Sequence, residues 1–291
     1  MSGHQPAIEG QTNYAYVKIK NRGTSVAANV TVKGYHSLPG AGLTWPSDFT
    51  AMSPAAGHVA ASVPANSAGE VTLGPFEWVP NVNAFGHDCV LMIASVSGDP
   101  SNVDNFAPGE TIAEWRLVPN DNNIGQRNVQ LVPGTGPESL LAGLDAAVFF
   151  AGNPFNRRAT MQLDVDLPEL LRATGWRIRF RGVESGKFLL EPGEKRQITI
   201  ELVPGRGFTS EEIEAARQRD IGVTLRADGM VIGGMTYRLD PALKAAPSPG
   251  GHRDCTKPAR DLLRCLDIST DKIRDVRVTK VSIDVRLDDD C

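Results

Sequence analysis

The sequence predicts an all-β protein made of two consecutive β-sandwiches with a small C-terminal appendage. Two observations favour this class. Short runs in which apolar and polar residues alternate recur along the chain, which is the period of half-buried strands. Turn residues separate these runs, and the 291 residues include 29 glycines and 20 prolines. Many short strands with such punctuation are typical of sandwiches rather than helical folds.

The first element, residues 14–35, predicts a hairpin of two half-buried strands. The apolar residues of each run share one face, namely Ala15, Val17 and Ile19 in the first run and Val30 and Val32 in the second. Between the runs, Asn21-Arg22-Gly23 supplies residues that tolerate a positive φ angle. The segment is therefore expected to open an antiparallel sheet.

The rest of the first unit, residues 1–135, continues the pattern. A loop with Trp45 precedes the run "GEVTLGPFEWVP", whose alternation shifts phase at Gly74-Pro75 and predicts a bulge. The run "HDCVLMIASV" is apolar on both faces, as in a buried strand, and "ETIAEWRLVP" and "NVQLV" are interpreted as the last two strands. About seven strands with turns between them indicate an immunoglobulin-like sandwich.

Several motifs of this first unit resemble a known bacterial module. They are the opening alternating strand, Asn21-x-Gly23, the small-residue stretch "SVAANVTV" and the turn "NDNN" at Asn120–Asn123. Together they resemble CARDB, an immunoglobulin-like domain related to bacterial cell adhesion. The resemblance implies a non-catalytic repeat or accessory domain of a secreted or surface protein.

The second unit, residues 136–245, begins after a Gly/Pro linker at 133–139 and predicts another immunoglobulin-like sandwich. The apolar stretch from Leu140 to Gly152 is too short for a bilayer and is interpreted as its first strand. Thr209 with Glu212 three residues later predicts a capped helix, and the Asp-Gly pair in "ADGM" predicts a hairpin turn. Three further runs alternate as strands do: "ATMQLDVDLP", "WRIRFRG" and "KRQITIELVPG".

The appendage, residues 246–291, begins with the linker "APSPGG". The segment "KPARDLLRCLDI" predicts a short helix, and "IRDVRVTKVSIDVRL" predicts a long strand with a bulge, or two strands, because its apolar phase switches near Thr279-Lys280. So few elements cannot bury a core of their own. The appendage is therefore expected to dock on a sandwich, to complete a sheet of a neighbouring chain, or to belong to a further part of the protein.

Motifs that carry chemistry are not found. The sequence has no G-x-S-x-G, no H-E-x-x-H and no Gly-rich phosphate loop, so it predicts no enzyme. His87-Asp88-Cys89 raises a nucleophile hypothesis, but Cys89 in an apolar run is better interpreted as a buried thiol. A disulfide is predicted as an option among the remaining cysteines, Cys255, Cys265 and Cys291.

One loop has the composition of a calcium site. Its oxygen ligands would be Asp99, Asn102, Asp104, Asn105 and Glu110, although their spacing does not match a helical calcium loop. Turns built on Asp and Asn side chains explain the same residues without a metal, and this interpretation is favoured. No other cofactor is predicted.

Four aromatic residues are candidates for ligand or partner contact: Tyr14, Tyr16, Tyr35 and Trp45. Flat rings can stack on sugars, which favours a polysaccharide, whereas aromatic enrichment at protein contacts favours a partner chain or self-assembly. The stripe of Arg177, Arg179 and Arg181 is interpreted as a solvated sheet face. A net charge of −4 with no long block of one sign gives no nucleic-acid footprint, and no membrane span is predicted.

The N-terminal residues lack the basic and apolar segments of a signal peptide. We expect an extracellular or cell-surface segment of a longer polypeptide, with a cytoplasmic protein as the alternative. The predicted function is a non-enzymatic interaction, adhesion or spacing module of a bacterial surface or secreted protein. The alternatives are a structural subunit of a phage or filament assembly that uses the C-terminal strand, and a carbohydrate-binding accessory domain of a secreted hydrolase.

Overall fold

The structure is a computed structural model that describes residues 7–8, 10–80, 88–133, 136–144, 147–183, 185–242, 276–278 and 283–285. Strands dominate, which confirms the all-β class. In the first half of the chain they are β1 (Asn13–Ile19), β2 (Ala27–Ser37), β3 (Gly40–Ala41), β4 (Thr44–Trp45), β5 (Thr50–Ala51), β6 (His58–Val63), β7 (Val71–Trp78), β8 (Cys89–Ser95), β9 (Ile112–Ala113), β10 (Ile124–Arg127) and β11 (Val129–Pro133).

The remaining strands are β12 (Val148–Gly152), β13 (Ala159–Asp166), β14 (Arg177–Arg181), β15 (Lys187–Leu190), β16 (Lys195–Val203), β17 (Asp220–Ala227), β18 (Met230–Asp240), β19 (Val276–Val278) and β20 (Ile283–Val285). The α-helices in the described part of the chain are α1 (Glu114–Leu117), α2 (Pro137–Leu144), α3 (Glu169–Ala173) and α4 (Ser210–Ala215). The chain divides into two compact units, residues 1–245 and 246–291.

The first sheet pair consists of a two-stranded sheet, β1–β7, and a larger sheet in the order β10–β8–β2, in which β5 and β6 both pair with the far side of β2. The two sheets bury a core that includes Val30 and Val32 of β2, Phe76 of β7 and Met92 of β8. The inward residues of β1 pack against this core. The predicted face of the opening strands is thereby confirmed.

The other face of the larger sheet is also covered. Trp45, Leu117 and Ile124 bury Leu91 and Ile93 of β8 there. Strand β8 is therefore buried on both faces, as its continuous apolar sequence predicted.

The second sheet pair is larger on both sides. A five-stranded sheet in the order β11–β18–β17–β13–β15 faces a four-stranded sheet in the order β14–β16–β12–β3. Their shared core includes fully buried Phe149, Trp176 and Tyr237. The apolar residues of β14 and β16 point inward while Arg177, Arg179 and Arg181 are exposed, as the alternation predicted.

Two short strands from the first half of the chain belong to the second sheet pair. β3 pairs in parallel with β12, and β11 pairs in parallel with β18. At β3 the backbones approach so closely that a Cβ on Gly42, whose φ is +74°, would lie 2.2 Å from the carbonyl oxygen of Gly152. The run "NVQLV" was predicted to close the first unit, but its hydrogen-bonding partner is β18.

The predicted opening hairpin is wrong. β1 pairs with β7, and β2 pairs with β6 and β8, so the two runs lie in different sheets. None of the turn residues Asn21, Arg22 and Gly23 has the positive φ angle that a hairpin turn was expected to need. Instead, the Asn21 side chain accepts from the Gly23 amide at 2.8 Å and donates to the Ser25 carbonyl at 2.7 Å. These residues carry the chain from one sheet to the other.

Two other predicted strands are helical. The segment 110–119 forms only the two-residue β9 before α1, because Glu114 and Leu117, three residues apart, are both buried. In the stretch 140–152, the strand starts at Val148, and Leu140 and Leu144 pack into the core from α2, one helical turn apart. A short apolar run fits both the two-residue period of a strand and the 3.6-residue period of a helix, so the sequence does not distinguish them.

Other turn and cap predictions are confirmed. Thr209 and Glu212 form a reciprocal capping box at the start of α4. Asp228 and Gly229, with φ of 47° and 84°, join β17 to β18. The register of β1 against β7 shifts opposite Gly74-Pro75, where the bulge was predicted.

In the appendage, the compact unit of residues 246–291, β19 and β20 form an antiparallel pair with Val278 opposite Ile283. The phase switch near Thr279-Lys280 therefore separates two strands. The predicted helix at 257–268 lies outside the described residues.

Candidate strand-binding cleft

Strand β1 has a sheet partner on one side only. It pairs with β7, and among the described residues no strand is paired with its other edge. An edge strand presents a row of unpaired amide and carbonyl groups that can pair with another chain. β1 is therefore able to accept a further strand.

A cleft of about 1010 Å³ lies beside this edge. It is lined by residues 17–20 at the end of β1, by the connection 21–26, and by residues of β2, β6, β8 and β10, while no residue of β7 contributes. Strand β7 instead packs over β6 and β2. The two-stranded sheet therefore covers one side of the larger sheet and leaves the part over β8 and β10 open.

The lining of the cleft is apolar toward its floor. Val30, Val32 and Met92 are buried there, and Val17 and Ala94 are half-buried at its sides. At Gly125 of β10, which is opposite Met92, an added Cβ would meet no atom within 4 Å. The cleft is thus an unfinished part of the sandwich core, with room for side chains from an added strand.

The two lysines at the end of β1 share one ion-pair partner. Lys18 and Lys20 both reach Glu70, with Nζ–carboxylate distances of 3.1 and 3.0 Å. Glu70 immediately precedes β7, on the paired side of β1. Lysines at a strand edge often block strand addition. These two share a single carboxylate, so an excess of one positive charge remains beside the edge.

The four aromatic candidates do not form one surface. Tyr14 and Tyr16, each 57% exposed, lie on the outer face of β1. Trp45 is buried on the outer face of the other sheet, with its ring centroid 4.7 Å from that of Tyr35 and 5.6 Å from that of Phe49. The sheets of the first pair separate the two groups.

Several side chains proposed for calcium are engaged in hydrogen bonds within the described structure. Asp104 accepts from the Ser95 hydroxyl at 2.5 Å, and Glu110 accepts from the amide of Ala107 at 2.7 Å. The Asn102 side chain donates to the carbonyl of Asn120, while Asn105 ends a 3-10 turn and Asp99 bonds through its backbone. In the described part of the chain no group of three His, Cys, Asp or Glu side chains is arranged to hold a metal ion.

A residue of the "NDNN" turn organises this loop instead. The buried carboxylate of Asp121 accepts from the Ser101 hydroxyl at 2.8 Å and from the amides of Asn102 and Asn123 at 2.7 and 2.9 Å. The sequence placed Asp121 in a turn, and its position just before β10 is consistent with that. What the sequence did not indicate is that it joins two distant loops.

Cys89 is buried, as predicted, and its Sγ–H donates to the Asn128 side chain at 2.8 Å. Burial raises the pKa of this thiol to about 12, so it carries no thiolate at neutral pH. His87, the imidazole of the nucleophile hypothesis, lies outside the described residues. The imidazole next to Asp88 is His36, with Nδ1 2.7 Å from the buried carboxylate.

Glu114 is a buried carboxyl whose pKa is also raised. Burial raises its pKa to about 7, although a hydrogen bond with Gln126 opposes the change. Its amide donates to the carbonyl of Leu43, in the connection between β3 and β4, at 2.8 Å. Sequence reasoning missed this residue because it placed Glu114 on the outward face of a strand.

The three cysteines of the predicted disulfide, Cys255, Cys265 and Cys291, lie outside the described residues. None of the helices within the described ranges has the length and apolar character needed to span a bilayer. The chain matches no protein-family model, and no curated protein is significantly similar to it.

Proposed function

We propose that the chain is a non-enzymatic interaction module of a bacterial surface or secreted protein, and that it binds partners by adding a strand to β1. One observation carries the proposal: a strand edge that is unpaired among the described residues lies beside an open cleft with buried apolar residues at its floor. In this mode the main-chain hydrogen bonds of the added strand supply affinity, and its alternate side chains supply specificity by filling the cleft.

The order of strand pairing supports an immunoglobulin-like arrangement of the first sheet pair. Such domains place strands A, B, E and D in one sheet and C, F and G, with C′ in variable types, in the other. Taking β1 as B and β7 as E makes β2, β6, β8 and β10 correspond to C, C′, F and G in both chain order and pairing. The position beside β1 is then that of strand A.

The same assignment fits the second sheet pair except at β15, which pairs with β13 in the C′ position but follows β14 in the chain. β12, β16 and β14 pair as B, E and D, and β13, β17 and β18 pair as C, F and G. Here the position beside strand B is taken by β3. Tandem immunoglobulin-like domains therefore account for both pairs, with the A position filled in the second and open in the first.

The test is binding of an extended peptide to a chain that ends at Pro249, which keeps the compact unit 1–245 and has no C-terminal strand to occupy β1, followed by two-dimensional amide NMR. The probe is a ten-residue peptide in which valine or isoleucine alternates with serine or aspartate, and the control is the same peptide with a central proline. We expect shifts at β1, β8 and β10 and slower hydrogen exchange along β1 with the probe alone. An unchanged spectrum with the probe, or equal shifts with the proline peptide, would contradict strand addition.

A further inference from the structure

We propose that the strand accepted by β1 is the C-terminal strand of a second copy of this chain, residues 281–288 around β20. This inference rests on the proposed function and names its partner. Exchange of an identical element between two copies gives a closed dimer in which each contact occurs twice.

The acceptor sets the pattern that the added strand must have. A strand beside β1 lies about 4.8 Å from it, with alternate side chains pointing into the cleft and the others outward. The inward side chains must be apolar, because they meet Met92 and Ala94 of β8. The outward side chains lie beside Lys18 and Lys20, where one carboxylate, Glu70, compensates two ammonium groups.

The sequence around β20 has this pattern. Its apolar phase consists of Val281, Ile283, Val285 and Leu287, and its polar phase consists of Ser282, Asp284, Arg286 and Asp288. The apolar phase has four side chains for the cleft. The polar phase has two carboxylates and one guanidinium, and its net charge of −1 complements the excess of one positive charge beside β1.

β20 also has an edge to offer. It pairs with β19 on one side, and no other strand is paired with it among the described residues. The β19–β20 hairpin can therefore join the sheet of another copy through β20 without giving up its own pairing. Four residues of an added strand would each bury an apolar side chain, which is the contribution that drives most protein association.

The experiment is the solution mass of the full chain by light scattering, with reductant present so that cysteine links between chains are removed. The monomer mass is 31.2 kDa. We expect twice this mass for the full chain and the monomer mass for a chain that ends at Pro249. A monomeric full chain would overturn the inference.

Two single substitutions separate acceptor from donor. Gly125→Trp fills the cleft at a position where a Cβ has open space, and Ile283→Asp places a charge in the apolar phase of the donor. Both are expected to give monomers. Ser282→Asp, the same charge moved by one residue into the polar phase, is the matched control and is expected to leave the dimer intact.

Mixing the two monomeric variants is the decisive step. Gly125→Trp retains a donor strand and Ile283→Asp retains an acceptor cleft, so the mixture is expected to form a dimer through one contact. A mixture that stays monomeric would show that the tail does not enter this cleft. Should Gly125→Trp fail to fold by circular dichroism, Val96→Arg at the half-buried rim of the cleft replaces it.

The outcomes distinguish this inference from the proposed function. If the alternating peptide binds β1 but the full chain is monomeric, strand addition stands and the second copy is the wrong partner. The full chain could also be a monomer in which Gly125→Trp speeds hydrogen exchange at the amides of the tail. This result would show that the chain's own tail occupies the cleft, and it would overturn the exchange of strands between copies. If neither peptide nor tail binds, both proposals fail.

Discussion

The two sheet pairs differ in whether one strand of each, β1 in the first and β12 in the second, is paired on both sides. β12 has β16 on one side and β3 on the other, whereas β1 has β7 on one side and no paired strand on the other among the described residues. In the second pair a two-residue segment, Gly40–Ala41, closes the edge. The second edge of β12 is therefore paired with a segment that is distant in the chain.

The comparison also shows how the two pairs are joined. β3 and β11 leave the first half of the chain and hydrogen-bond in the sheets of the second pair. The core of the second pair accordingly includes Ala41 and Cys89 as well as its own residues. A change in one pair is therefore expected to be felt in the other.

The largest expected effect tests that coupling with one phenylalanine from each core. Phe76 in the first pair and Phe149 in the second are both fully buried. Each Phe→Ala substitution is expected to lower the free energy of unfolding by about 3–5 kcal/mol, because it removes buried apolar surface and leaves a cavity. Both should shift a single urea transition, monitored by tryptophan fluorescence and by circular dichroism.

Two separate urea transitions, each shifted by only one of the substitutions, would show instead that the two sheet pairs unfold independently. Val59→Ala is the control in the first pair, since Val59 is 58% exposed. It is expected to change the free energy of unfolding by less than about 0.5 kcal/mol.

A second prediction concerns Glu114, whose amide is bonded to the connection between β3 and β4. Burial raises the pKa of Glu114 from 4.5 to about 7. In the folded protein this carboxyl therefore keeps its proton to about pH 7, while in the unfolded chain it loses it near pH 4.5. The folded state binds more protons in this window, so the contribution of Glu114 to stability falls as pH rises through it.

Above about pH 7 the destabilisation of the folded state by the charged Glu114 no longer changes with pH. It amounts to about 3 kcal/mol for a pKa raised from 4.5 to about 7. We expect Glu114→Gln to leave the free energy of unfolding nearly unchanged at pH 4 and to raise it by about that amount at pH 8. The measurement is the difference in urea unfolding free energy between variant and wild type at several pH values. A difference that does not depend on pH would refute a buried, protonated Glu114.

The smallest expected effect lies in the core of the second pair. Tyr237 is fully buried, and its hydroxyl has no hydrogen-bond partner in the described structure. A buried hydroxyl without a partner is costly, so Tyr237→Phe is expected to stabilise the protein by about 1 kcal/mol. Thermal denaturation would show this as a higher Tm.

Tyr14→Phe provides the matched control for that substitution, because Tyr14 is exposed on β1. It is expected to leave the Tm unchanged. A lower Tm in Tyr237→Phe would indicate that the hydroxyl is hydrogen-bonded, for example to a bound water, and that the closed core is less dry than its packing suggests.

Local signals in the sequence were reliable where a few neighbouring residues decide the outcome. The inward face of β1, the capping box at Thr209 and the Asp228-Gly229 turn follow from side-chain periodicity and from residue types that suit one backbone geometry. The segment 110–119 failed because period 2 and a short helix both explain the same apolar residues. The aromatic candidates and the calcium candidates were each grouped by residue type, and no local pattern reveals which of them lie together in the fold.

By itself the sequence determined the all-β class, the burial of most strand faces and the turns, because these depend on contacts within a few residues. Only the tertiary structure decided that β1 and β2 belong to different sheets, that β3 and β11 pair in the second half, and that the edge of β1 faces a cleft. Backbone hydrogen bonds between strands are alike whatever the side chains, so alternation identifies a strand without naming its neighbour. The neighbour is chosen by how all the apolar faces pack together, and that choice creates the candidate site.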